Sequence, residues 1–245
     1  MEKGLFYGFL VIGLLLVGTT GVFLGTDLVS DEPQFREAPS PPSEINESSA
    51  LRYAETLEQT RLHNRLLNET SPDRIEISCN SRSVAGSSSS QYAFVRCSST
   101  TYDDGSVSDS NPYTVMYRIH TAGSTRVERT GRRASPIQDN ATSPQGFQSV
   151  PLSIYNFDKN EIRINTTATV LNSSTAVAQG EYRVSVQPEH GVVLDTVFTT
   201  PGTYRIHTQT SALTGNETWT LATDRQRLVI LVGPDGVRIE ETRLP

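Results

Sequence analysis

Residues 74–99 read RIEISCNSRSVAGSSSSQYAFVRCSS. Ile75, Ile77 and Cys79 alternate with polar neighbours, and so do Ala93, Val95 and Cys97. Between them lies Ala85 to Ser90, AGSSSS, a run of turn-forming residues. Strict alternation puts every second side chain on one face of a strand, so the stretch predicts an antiparallel hairpin. A turn centred near Ser88 sets Cys79 opposite Cys97 on the same face. These are the only two cysteines. A bond between them closes a loop of about 19 residues, contributes on the order of 3 kcal/mol and persists outside the reducing cytosol. The alternative is two separate buried thiols. A metal pair is disfavoured, because no third Cys and no adjacent His stands near.

On either side of the hairpin the pattern continues. Thr101–Val107 and Tyr113–His120 read as strands, separated by the turn signals Asp103-Asp104-Gly105 and Asn111-Pro112. Upstream, LRYAETLEQTRLHNRLLN at residues 51–68 reads as a helix, with Leu51, Ala54, Leu57 and Arg61 at helical spacing and Ser48 or Ser49 as its cap. Its apolar face is narrow, which suits packing on a sheet. Residues 122–149 are weakly patterned and read as a loop. Arg126, Arg129, Arg132 and Arg133 form a basic cluster there, either solvated or in contact with acidic glycan or lipid headgroups. Ser135-Pro136 to Ser143-Pro144 marks a linker.

From Val150 onward strand signals recur. Candidates are Pro151–Phe157, Glu161–Leu171, Gly180–Val186, Val192–Thr199, Thr203–Thr210, Glu217–Leu221, Arg227–Leu231 and Val237–Glu240, with turn signals every 8–12 residues. That rhythm predicts a β-sandwich of about 95 residues. Pro201-Gly202-Thr203-Tyr204 presents Tyr204 at a strand start, where its ring can enter the core. The P-G-T-Y is similar to one preceding the ligand region of cupredoxins. A copper site of that kind needs Cys, and none follows Cys97. Trp219, the only tryptophan, lies in an alternating strand and reads as core.

The N-terminal end is of another kind. Gly4 to Gly25 carry no charge over about 22 residues, roughly 33 Å as a helix, which is long enough for a hydrocarbon core. Lys3 precedes the run and Asp27, Asp31 and Glu32 follow it, so the positive-inside rule puts the N-terminus in the cytoplasm. A cleaved signal peptide has a shorter apolar core and a small-x-small exit, which this run lacks. Lys3-Gly4 resembles the processing site of type IV pilins, but Phe9 stands where their glutamate belongs. Residues 27–50, with Pro33, Pro39, Pro41 and Pro42 among Ser and Glu, read as a disordered stalk.

Composition narrows the function. Lys+Arg is 21 and Asp+Glu 27, a net charge of −6, which argues against a nucleic-acid partner. Ser and Thr supply 55 of the 245 residues, compatible with strands and turns. Six asparagines begin N-x-S/T: Asn46, Asn68, Asn140, Asn165, Asn172 and Asn216, each a candidate glycan acceptor. Asn172 and Asn216 fall in turn signals. His63, His120, His190 and His207 have no metal-ligand spacing, and Asp103, Asp104 and Asp109 lack the EF-hand pattern for calcium. There is no G-x-S-x-G, P-loop or G-x-G-x-x-G. Glu161 with Glu181, or the pair Glu240-Glu241, offers the two carboxylates a glycoside hydrolase needs, and the sequence does not set either pair in a cleft.

Lysine occurs only at Lys3 and Lys159 against 19 arginines. The anchor, the Pro/Ser/Glu stalk, the helix RYAETLEQTRLHNRLL, the Cys hairpin and the stretch LSIYNFDKNEIRINTTATVL resemble exported, membrane-anchored proteins of halophilic archaea. That group has a C-terminal Ig-like β-sandwich and no assigned activity, so the resemblance implies a location and a fold, not a reaction. The expected class is mainly β. A transmembrane anchor at 1–26 and a stalk at 27–50 lead into a helix with a disulfide-linked antiparallel sheet at 51–135. A linker at 136–149 precedes an Ig-like sandwich at 150–245. The expected role is a non-catalytic envelope module without cofactor, held by the bilayer through residues 4–25 and contacting an envelope or surface-layer protein. A pilin-like subunit and an exported enzyme are the rivals.

Overall fold

The computed structural model describes residues 33–134, 138–139, 149–171, 177–223 and 226–242. The apolar run at 4–25, and with it the anchor assigned to 1–26, lies outside them. Among the described residues no helix is long and apolar enough to cross a membrane.

One helix and two sheets make up the described chain. Helix α1 spans Glu47–Thr70. Strands β1 (Arg74–Gly86), β2 (Gln91–Asp103), β3 (Ser106–Asp109), β4 (Tyr113–His120) and β5 (Gly123–Ala134) follow, then β6 (Gln138–Asp139). Next come β7 (Val150–Asn156), β8 (Ile162–Val170), β9 (Val177–Val186), β10 (His190–Phe198), β11 (Gly202–Gln209), β12 (Thr214–Leu221), β13 (Arg227–Gly233) and β14 (Gly236–Thr242). The large sheet runs β1-β2-β4-β5-β10-β7-β13-β14, with β3 on β2, and the small one runs β12-β11-β8-β9-β6.

The hairpin register is the one the alternation dictates. Cys79 pairs with Cys97, and the ladder keeps step from Arg74↔Tyr102 to Ser83↔Ala93 before a bulge next to the turn. The disulfide joins them with Cα atoms 4.2 Å apart. All eight strands expected after Val150 form, at boundaries within a few residues of those read from the sequence.

Four expectations change. The strand read at Thr101–Val107 is divided by a turn at Asp104-Gly105, both at positive φ, so that residues 101–103 end β2 and Ser106 opens β3. The segment from 122 is not a loop: Gly123–Ala134 is β5, antiparallel to β4 and parallel to β10, with Glu128 opposite His190. Strands from both sides of residues 136–149 therefore share one sheet. The helix starts four residues before the expected Leu51, capped by Asn46 rather than Ser48 or Ser49. Asn46 Oδ1 accepts from the Ser49 amide at 2.9 Å, and Ser49 Oγ accepts from the Asn46 amide at 3.2 Å, a reciprocal capping box. Finally, the stretch assigned to a disordered stalk is docked on α1 over part of its length. Asn64 donates to the Arg36 carbonyl at 2.8 Å and accepts from the Arg36 amide at 2.9 Å. The Gln34 carbonyl lies 2.8 Å from His63 Nε2. A side-chain amide paired with both polar groups of one backbone residue replaces the water that would otherwise solvate it.

The core has three parts. Ala50, Ala54 and Leu62 of α1 pack over Ala93, Val95, Cys97, Val115, Tyr117 and Ile119 of β2 and β4. On the same face of the large sheet, farther along, the small sheet packs through Ile164, Ala168, Tyr204, Ile206 and Trp219 onto Leu152, Ile154, Leu228 and Ile230. This is a β-sandwich, built as the C-terminal rhythm required. The opposite face carries Tyr92, Phe94, Met116, Val127, Tyr155, Phe157, Val229 and Leu231. They are buried because the sheet coils around them. Tyr92 and Phe157 meet edge-to-face with centroids 5.2 Å apart, although β4, β5 and β10 lie between β2 and β7. In a flat sheet four strand spacings would hold them about 19 Å apart. Asp235, in the β13–β14 turn, accepts from Arg118 of β4 at 2.7 Å and from Ser90, beside β2, at 3.1 Å, which pins the coil.

Candidate functional site

The chemically densest place in the described chain lies where α1 crosses β4 and β5. Ala50, Ala54, Glu58 and Leu62 recur at four-residue intervals and form one ridge of the helix, so Glu58 is carried into the interface by the same geometry that buries its neighbours. It is 1% exposed. An isolated buried carboxylate would be prohibitive, and this one is matched on every side. Arg126 donates to it through Nε and Nη2, both at 2.8 Å. Tyr117 donates at 2.5 Å and Tyr113 at 2.8 Å. Arg126 also pairs with Glu128 through Nη1.

The electrostatics follow from these contacts. Burial alone would push the Glu58 carboxyl up, but the hydrogen bonds from Arg126 and Tyr117, the Arg126 charge and the Tyr113 hydroxyl together hold it below the ordinary value. Burial and the adjacent carboxylate push the Tyr113 and Tyr117 phenols up. The pairs with Glu58 and Glu128 outweigh burial and raise Arg126. Each group is locked in the ionisation state it already has at neutral pH.

Two recesses flank Arg126. One, of about 340 Å³, is lined by Glu58, Arg61, Leu62, Arg65, Tyr113, Arg126 and Glu128. The other, of about 370 Å³, is bounded by Leu57, Arg61 and Tyr117 on one side and by Ser124, Pro188 and His190 on the other. Arg61 borders both. The Arg65 guanidinium stands 5.8 Å from the centre of the Tyr113 ring.

Sequence reasoning missed this site. The signal was a carboxylate on the apolar ridge of the helix, and Arg126 stood in a stretch read as a loop. Of the residues it did single out, Cys79 and Cys97 are joined, with Cys97 buried beneath α1. Trp219 is buried at the sandwich interface and donates to Glu241 at 3.1 Å. Tyr204 is fully buried at the start of β11, and its hydroxyl donates to the Thr200 carbonyl at 2.5 Å.

The sequons are scattered. Asn46 caps α1 and Asn68 is exposed in its last turn. Asn165 on β8 and Asn216 on β12 are exposed on the outer face of the small sheet, and Asn216 Oδ1 lies 2.6 Å from His207 Nδ1. Asn140 and Asn172 lie outside the described residues. The four histidines occupy four separate elements. Asp103 and Asp104 gather Asp73, with ligand atoms within 4.8 Å of one another and all three exposed. Asp109 is elsewhere on the same hairpin and accepts from Thr100 at 2.6 Å. Glu240 and Glu241 are neighbours on β14, far in sequence and strand order from Glu161 and Glu181.

Comparison of the chain with protein-family models, with curated proteins and with solved structures finds no match.

Proposed function

We propose that the chain is a single-pass, membrane-anchored protein whose β-rich ectodomain serves a structural or binding role in the cell envelope, without catalysis. The observation that carries the reading is the Cys79–Cys97 bridge, closed in register and packed beneath α1. A thiol pair so placed is a structural disulfide, and such bonds persist in oxidising compartments. The 22-residue apolar run at the N-terminus and the six sequons agree with that placement. The finer fold assignment, an Ig-like sandwich, is supported by the Tyr204–Thr200 hydrogen bond at the start of β11, which has the form of a tyrosine corner.

The groove beside α1 supports binding over turnover. A general acid or base works best with a pKa near the working pH. Glu58 is pushed down and Tyr113, Tyr117 and Arg126 up, away from that range.

Intact mass and N-terminal peptide mapping of membrane-extracted protein, with and without reductant, tests the proposal. The expected result is a chain retaining residues 1–25, carrying glycan mass and gaining two hydrogens on reduction. A chain beginning at Leu5 would instead make it a pilin-like subunit. A chain beginning near Thr26 and recovered from the medium would make it a secreted protein.

A further inference from the structure

We infer that the groove between α1 and strands β4 and β5 is a binding site for an acidic sugar, one that carries a carboxylate or sulfate group. Arg61 and Arg65 stand one turn apart on the exposed side of α1 and both line the recess. Among the described residues neither has a carboxylate within ion-pair distance. Like charges at this spacing repel and weaken a helix. In a chain of net charge −6, two adjacent uncompensated arginines are a cost that an anionic ligand would remove.

The floor of the recess adds hydrogen-bond donors and no net positive charge, because Arg126 stands between Glu58 and Glu128. Arg126 cannot swing, because its Nε and Nη2 are held by buried Glu58. A guanidinium has five N–H donors. Glu58 and Glu128 take three of them, which leaves one on each terminal nitrogen. Planar guanidinium groups match carboxylate and sulfate oxygens with paired hydrogen bonds. Tyr113 and Leu62 supply the apolar wall against which a sugar ring can lie. The volume, about 340 Å³, is at the small end of ligand pockets and suits one or two sugar units.

Two other anionic partners fit less well. A lipid surface is held by clusters of about four to eight basic residues or by large exposed apolar side chains that enter the bilayer, and this recess presents two exposed arginines. The large exposed apolar side chains among the described residues, Phe35, Val107 and Leu213, are not part of this groove, and Glu128 and Glu189 flank it. Arginine clusters also take acidic peptide motifs, which gain further where the peptide backbone can pair with a free sheet edge. Here β4 and β5 are interior strands with neighbours on both sides.

The inference rests on the ectodomain reading and is tested separately from it, since peptide mapping fixes location and the following fixes the groove. Full-length protein in detergent is titrated with polygalacturonate, with neutral dextran, with poly-glutamate and with glycerol phosphate, the soluble headgroup of an anionic lipid. Polygalacturonate should bind and dextran should not. Arg61→Gln with Arg65→Gln should weaken binding at least tenfold, toward a hundredfold, from the loss of two charge-assisted partners. Both positions are exposed and their charges repel, so a melting temperature no lower than that of the parent chain is expected and is checked alongside. The pair Arg163→Gln with Arg205→Gln, exposed on the small sheet, should leave binding intact. No binding to polygalacturonate, an equal loss in both double variants, or preferential binding of poly-glutamate or glycerol phosphate would overturn the assignment.

Discussion

Arg126 on β5 grips both carboxylate oxygens of Glu58 on α1, each at 2.8 Å, across 68 residues of sequence. The contact ties the helix to a strand that the local pattern did not announce, and it sets the floor of the groove. Its energetics are asymmetric. A buried pair contributes little against a well-packed apolar replacement, yet removing one partner strands the other.

Glu58→Gln and Arg126→Met should therefore each destabilise the protein by about 3–5 kcal/mol in urea unfolding. The combination Glu58→Leu with Arg126→Met should recover a large part of that loss. Single-variant losses below about 1 kcal/mol would place the pair in a solvated setting.

Acid should unfold the protein partly through the same carboxylate. Glu58 titrates below its ordinary 4.5 in the folded state, and the Arg118 hydrogen bond holds Asp235 below 3.8. With both folded values depressed, the unfolded chain binds more protons. The stabilisation is present above the ordinary values and drains as pH falls through the folded ones. Urea midpoints should decline gently below about pH 6.5, where burial and the Arg118 charge hold the His120 imidazole below its ordinary value, and more steeply from about pH 5 downward. Glu58→Gln should show a shallower decline, and an unchanged slope would remove Glu58 from the linkage.

Cutting the bridge should cost about 3 kcal/mol, as expected for a closed loop of this length. Cys79→Ser with Cys97→Ser, or reduction of the native chain, should lower the melting temperature to the same degree. A reductant effect that persists in the double serine variant would point to something other than this bond.

The coil of the large sheet can be probed at two places. A methyl group at position 191 would meet the Tyr155 ring at 2.8 Å and the Ile154 carbonyl at 3.2 Å. Gly191→Ala should cost about 1–3 kcal/mol through overpacking. A double-mutant cycle on Tyr92 and Phe157 should return a coupling of about 0.5–1.5 kcal/mol, the value for an aromatic pair in contact. Zero coupling would mean that the sheet does not curl as described.

Local patterns determined a good deal. The alternation around Cys79 and Cys97 determined the hairpin register, because a slip of one residue would turn every apolar side chain to the wrong face. The strands after Val150 were readable for the same reason, as were the burial of Trp219 and Tyr204. Helix α1 was readable from its spacing, and its start was misplaced because the capping box at Asn46 and Ser49 uses a serine where glutamate is the usual signal.

Tertiary structure alone decided the rest. Strand β5 has few apolar residues to announce it. It is held by β4 on one side and by β10, some sixty residues later, on the other. The meeting of Tyr92 with Phe157 depends on the twist summed over several strands, which no window of sequence contains. Glu58 is buried only because Arg126, Tyr113 and Tyr117 arrive together from two other strands. Period and turn chemistry act between neighbours in the chain, so they are written in the sequence. Sheet curvature and charge burial act between neighbours in space, and exist only once the chain has folded.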